Sequence, residues 1–170
     1  MKCVSEQFKN MKKQVVKKKK AVKKINHKIR TEYLNKVYSG EFLNLVPKAV
    51  KKIRQLRKQL GFDAIAFTGS SGAALAFPLS FFLKIPLIHV RKGQSHYGTG
   101  RIEGTISSKK YLIVDDFIDR GNTMKRIMKS IADEIGEESK PVAIFLYDSM
   151  RRTSFTYNNK EVPIFFLPRS

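Results

Sequence analysis

The stretch from Val114 to Thr123, VDDFIDRGNT, constrains this chain more than any other feature. Apolar residues 111–114 read as a strand that runs straight into two acids, Asp115 and Asp116. A loop with Gly121 and Thr123 follows, and then the helical pattern of 124–135. In an open α/β sheet, ligands bind beyond the carboxyl ends of the strands. A helix N-terminus placed there offers unpaired N–H groups and the positive end of a dipole, which suit a phosphate. Gly121 permits close backbone approach and Thr123 can donate a hydroxyl. Two adjacent carboxylates would repel that phosphate. They suit a ribose diol, the water shell of Mg²⁺, or both.

The flanking sequence predicts a sheet of that kind. Residues 63–67, 86–90, 111–114, 142–147 and 162–167 are short apolar runs that read as strands, the last of them closing the stretch 151–170. Between them lie a Gly/Ser loop at 68–72, a buried helix at 73–83, a long polar loop at 91–108 and the helix at 124–135. Strand–helix–strand repetition with continuously apolar strands predicts a mostly parallel sheet covered by helices on both faces. Upstream, a helix from Pro47 to Leu60 carries Val46, Val50, Ile53, Leu56 and Leu60 on one face, with Pro47 in its first turn and Gly61 as its cap. Residues 8–38 read as one long basic helix whose stripe is Phe8, Met11, Val15, Val22, Ile25 and Ile29. The chain thus divides into a basic amphipathic helix at 1–40 and an α/β domain at 41–170.

Charge bears on partners. The net charge is +20, and residues 1–60 carry 19 Lys/Arg against 3 Asp/Glu. Such a segment attracts polyanions: nucleic acid, an anionic membrane or small phosphorylated ligands. The near-heptad stripe of 8–38 also suits pairing with a second chain or packing on the domain itself. No apolar run is long enough to span a bilayer. The single cysteine, Cys3, excludes an internal disulfide framework. These features fit a cytoplasmic protein.

The segment from Val114 to Thr123 resembles the phosphoribosyl pyrophosphate (PRPP) motif of type I phosphoribosyltransferases: apolar residues, two acids, two apolar residues, and a short loop ending Gly-x-Thr. The resemblance implies a Mg²⁺-dependent enzyme that displaces pyrophosphate from PRPP with a nucleobase, in a fold with a small hood over the base. It also implies a homo-oligomer. Asp115 and Asp116 would meet the ribose hydroxyls and the metal shell, and Asp119, Arg120, Gly121, Asn122 and Thr123 would wrap the 5′-phosphate. Arg120 departs from the pattern, where a small residue is usual.

Two more pieces extend the resemblance. Thr68-Gly69-Ser70-Ser71-Gly72 is similar to the family's pyrophosphate loop, where backbone N–H groups face the leaving group. Arg91-Lys92 and Gly98–Gly104 are similar to its catalytic loop, nearest to that of orotate phosphoribosyltransferases. The candidate catalytic residues there are Arg91, Lys92, His96, Arg101 and Glu103. The orotate pattern has a Lys and a His before the loop glycine. Here Gln94-Ser95-His96-Tyr97 lacks the Lys and sets His96 one place early.

Asp119 points instead to enzymes acting on 6-oxopurines, in which an acid at this position handles the N7 proton. The two signals leave 6-oxopurine slightly ahead of orotate. Tyr147 and Asp148, after a central strand, are candidates for contact with the base, as are the aromatics Phe155, Tyr157, Phe165 and Phe166. The rival reading is a PRPP-sensing regulator on the same fold that binds nucleic acid through its basic N-terminal segment.

Overall fold

The computed structural model describes residues 41–93, 100–148 and 152–167. The basic helix expected at 8–38 lies outside the described residues. A short 3₁₀ turn, Glu41–Asn44, leads into α1 (Leu45–Leu60). There follow β1 (Ala64–Phe67), α2 (Gly69–Leu83), β2 (Leu87–Val90), β3 (Ile102–Gly104), β4 (Lys110–Asp115), α3 (Asn122–Ile135), β5 (Lys140–Leu146), β6 (Ser154–Tyr157) and β7 (Lys160–Phe166).

The strands form one sheet in the order β3-β2-β1-β4-β5-β7-β6. β1 pairs in parallel with both β2 and β4, and β5 pairs in parallel with both β4 and β7. Only the two edges, β3 on β2 and β6 on β7, are antiparallel. The central strands are apolar on both faces because both faces are covered. Alternate residues Ala64, Ala66, Ile88, Val90, Tyr111, Ile113, Ile144 and Leu146 pack with Met124, Ile127, Met128 and Ile131 of α3. α2 lies against the opposite face. Gly72 brings it so close that a Cβ there would meet Phe67 Cβ and the Val114 carbonyl, each at 3.1 Å.

α1 buries Val46, Ala49, Ile53 and Leu56, and ends on Gly61 at φ 67°, whose N–H donates to Arg57 O. Arg57 Nη1 in turn donates to Leu83 O at the end of α2.

Four expectations need correction. Residues 68–72 are not an open loop, because the helix begins at Gly69 and absorbs them. α2 is not wholly buried: Phe77, Phe81 and Phe82 are 59%, 79% and 58% exposed. The stretch 91–108 is not loop throughout, since residues 102–104 form an edge strand. Residues 151–170 hold two strands rather than one, joined through Asn158 and Asn159 at φ 49° and 58°. Two residues in the left-handed region are what a tight hairpin of this twist requires.

Candidate active site

The carboxyl ends of β1, β4 and β5 bring three of the sequence motifs together. Asp115 ends β4, and Asp116 begins the loop that leads to α3. Both are buried, at 5% and 7% exposure. Asp115 Oδ1 accepts the Ser71 hydroxyl and the Asp116 N–H, both at 3.0 Å. Asp116 Oδ1 accepts the Phe117 N–H at 2.9 Å. Burial, and then the Asp116 carboxylate beside it, push Asp115 up to about 7. No side chain among the described residues supplies a cation to this pair.

The turn into α3 fits an anion. Gly121 stands at φ 80°, and no side chain caps the helix behind it. The first-turn N–H groups therefore lack the side-chain partner that a helix start usually has. Asp119, Arg120 and Asn122 are exposed beside that turn, and Thr123 is half-buried. Gly121 is required for space as well as for φ, because a Cβ would fall 2.4 Å from Phe155 Cε2. Phe155 is buried in the core and is not a stacking surface for a base. Tyr157 and Phe166 pack against the same core, and Phe165 lies under Lys52 Nζ, 5.9 Å from its ring centre.

At the start of α2, Thr68 Oγ1 donates to Val90 O at 2.5 Å and ties the end of β1 to that of β2. Gly69 adopts φ 66°, and a Cβ there would be 3.2 Å from Lys92 Nζ. The structure thus brings Lys92 over the start of the predicted pyrophosphate loop. Ser70 is exposed, and Gly72 faces the sheet.

Tyr147 corrects a sequence expectation. Its hydroxyl donates to Ser71 O at 2.8 Å and its ring meets Phe42 edge-on at 5.3 Å, so its polar end is committed to the α2 turn rather than offered to a base. The Tyr147 hydroxyl is pushed well up by burial and then by the charges of Asp116, Asp115 and Asp148. Asp148 is exposed, and its N–H donates to Asp116 O at 3.0 Å.

Of the other loop residues, His96 lies outside the described residues. The Arg91 guanidinium pairs with Glu103, which also lies 3.1 Å from His89 Nδ1. Glu103 is therefore engaged along the β2–β3 edge. His89 stacks on Phe67 at 4.8 Å, and burial followed by Arg91 holds its ring below the usual imidazole value. Arg101 has an exposed side chain, and its backbone is fixed: its carbonyl accepts the Arg91 N–H at 2.8 Å, and its N–H donates to Glu134 at 2.5 Å. Sequence reasoning passed over Glu134. It lies 33 residues from Arg101 in a helix, and no motif marks it.

A mostly parallel sheet with two acids and an uncapped helix start beyond β4 defines an α/β fold whose carboxyl edge has the geometry to accept an anion. No family model matches the chain. It is 32% identical over 100 residues to orotate phosphoribosyltransferase of Sulfurisphaera tokodaii, covering 58% of this chain and 49% of that protein. It is 31% identical over 127 residues to orotate phosphoribosyltransferase of Pyrococcus horikoshii, covering 66% and 68%. The chain belongs to the type I phosphoribosyltransferase family.

Solved structures agree on the fold. An adenine phosphoribosyltransferase superposes with a TM-score of 0.55 at 17% identity, covering 76% of this chain and 81% of that one. Leishmania donovani UMP synthase gives 0.52 at 21% identity, covering 68% and 24%. The chain spans about half the length of several of the curated relatives it matches, 46% to 51% in three of them. No helix among the described residues is long and apolar enough to cross a membrane.

Proposed function

We propose that the chain transfers the 5-phosphoribosyl group from PRPP to a ring nitrogen of a nucleobase and releases pyrophosphate. One observation carries this reading: the buried Asp115–Asp116 pair, beside an uncapped helix start and hydrogen-bonded to Ser71. A pair of acids with no counter-charge is costly until a ligand supplies one, and the raised Asp115 is the sign of that cost.

In this reading the N–H groups after Gly121, with Thr123, bind the 5′-phosphate. Asp115 and Asp116 accept from the ribose hydroxyls. The turn at Gly69–Gly72 and Lys92 receive the pyrophosphate as it departs, where developing charge is stabilised by fixed donors. Arg91 and Arg101 add positive charge nearby. The base nitrogen attacks ribose C1 as the bond to pyrophosphate oxygen breaks, and no covalent enzyme intermediate forms.

Mg²⁺ suits the donor set. Among the described residues no three His, Cys, Asp or Glu side chains gather into a metal group. Asp115 and Asp116 would supply two carboxylates to a hard cation held otherwise by water and substrate phosphates. When bound, Mg²⁺ would neutralise that pair and the charge of the pyrophosphate.

The relatives' names shift the base. Orotate is the first candidate on their account, and the slight sequence preference for a 6-oxopurine rests on Asp119 alone. The test is pyrophosphate release from PRPP and Mg²⁺ with orotate, hypoxanthine, guanine, xanthine and adenine. Release with one base supports transfer. PRPP binding without release for any base would replace it with a PRPP-sensing role.

A further inference from the structure

A carboxylate that the proposed reaction does not use holds the backbone of Arg101, one of its cations, and through it that of Arg91. Glu134, in the last turn of α3, accepts the N–H of Arg101 at 2.5 Å through Oε1 and that of Ile102 at 3.2 Å through Oε2. Charge-assisted bonds of this kind are about twice as strong as neutral ones. The carboxylate also lies close to Gly100: a Cβ there would fall 2.9 Å from Glu134 Oε2, so this flexible side-chain end would have to shift. The clamped residue is in turn bonded to the other end of the same chain excursion, because Arg101 O accepts the Arg91 N–H at 2.8 Å. Glu103, two residues on, pairs with the Arg91 guanidinium. Lys92 follows directly and reaches Gly69. α3 therefore starts at the uncapped turn after Gly121 and, from its far end, bonds the backbone of Arg101 and Ile102, with Arg91 joined to Arg101 in turn.

We propose that Glu134 is a positioning residue: its carboxylate sets the placement of Arg91, Lys92 and Arg101 relative to the pyrophosphate turn at Gly69–Gly72. The role rests on the transferase reading given above. Cations that meet charge developing on a leaving group act mainly in the transition state, so misplacing them lowers kcat more than PRPP affinity.

The experiment uses the full chain with Glu134→Ala, Glu134→Gln, Gly100→Ala and the double variant Gly100→Ala/Glu134→Ala. Backbone amide exchange at residues 101 and 102 is read together with pyrophosphate release. Glu134→Ala speeds exchange by about tenfold or more, as expected when two anchoring bonds are lost. It lowers kcat by about tenfold while KM for PRPP stays within about threefold. Glu134→Gln, which keeps one acceptor oxygen, falls between. Gly100→Ala shifts the flexible carboxylate end and gives a smaller loss in the same direction, and the double variant is no worse than Glu134→Ala, because both act on one contact.

Unchanged exchange in Glu134→Ala overturns the clamp. Faster exchange with kcat untouched, or with kcat and KM worsening alike, overturns the positioning role. A wild-type chain that releases no pyrophosphate with any base refutes the transferase reading instead, and the exchange data still decide whether the clamp exists.

Discussion

Replacing Asp115 by Asn should make the ligand-free protein more stable at neutral pH and above, which is unusual for a buried polar residue. The side chain is 5% exposed and lies against Asp116, and its carboxyl is pushed up from 3.8 to about 7. A group whose folded value exceeds its unfolded value holds its proton longer in the native state. Its contribution to stability is intact below about pH 4 and is lost progressively as pH rises through about 7. Some three pH units at ~1.4 kcal/mol each put the penalty at ~4 kcal/mol above pH 7. Asn keeps an oxygen for Ser71 and for the Asp116 N–H, but it buries an NH₂ whose missing partner costs ~1–2 kcal/mol. The net gain should be ~2 kcal/mol at pH 8, or about 6 °C in Tm for a domain of this size. It should vanish at about pH 5 and reverse below that, leaving the wild type ahead by ~1–2 kcal/mol near pH 4. Urea unfolding of the two proteins from pH 4 to 8.5, without Mg²⁺ or PRPP, measures the gap. A constant gap across that range, or a wild-type protein that is the more stable at pH 8, would refute the argument. Added Mg²⁺ and PRPP should reverse the order at pH 8, since the ligands supply the charge that the pair lacks.

Gly121→Ala should cost ~2–3 kcal/mol in urea unfolding, because the residue stands at φ 80° and its Cβ would enter the buried Phe155 ring. A loss below ~0.5 kcal/mol would contradict that packing. Asp119→Ala separates the two bases: loss of about 10²-fold or more in rate with hypoxanthine or guanine fits proton handling at N7, whereas full activity on orotate alone ends the purine reading. α1 carries Lys48, Lys51, Arg54 and Lys58 exposed along one face, with no acid in its sixteen residues. Changing all four to Gln should reduce the log–log salt slope of duplex DNA binding by ~3–4, at about 0.9 per phosphate. An unchanged slope in fluorescence anisotropy would clear α1 of any part in polyanion binding.

What the sequence made readable followed from periodicity and from residues with one conformational use. β1, β4 and β5 announced themselves because strands buried on both faces are largely apolar runs, and β2 did so despite the half-buried His89 within it. α1 announced itself by its buried face, and Gly61 marked its end by needing φ 67°. The two acids and Gly121 came from one short segment, so spacing alone located them.

The unread parts depend on contacts between distant residues. The helix start at Gly69 was hidden because Thr-Gly-Ser-Ser-Gly has the composition of a turn, and the Thr68 bond to Val90 O that fixes it spans 22 residues. β3 was hidden because three residues give no period. Its register depends on Gly104, where a Cβ would stand 2.1 Å from Leu87 O. β6 was legible in principle, through two consecutive asparagines between alternating segments. The burial of Asp115, the use of the Tyr147 hydroxyl and the Glu134 clamp are tertiary facts with no local signal.

The exposed phenylalanines of α2 bear on how the protein must be handled. Phe77, Phe81 and Phe82 stand out of a fifteen-residue helix that contains no charged side chain. A chain with a net charge of +20 is kept apart from its copies by repulsion. Salt shortens the reach of that repulsion to about 8 Å at physiological strength and about 3 Å at 1 M, while it leaves apolar attraction in place. Salt washes that strip polyanions from the lysines therefore also remove the barrier that keeps these aromatic faces from meeting. If the lysines do take up polyanions, that attraction and self-association should run in opposite directions along one salt axis, leaving a middle range of ionic strength in which both are weak.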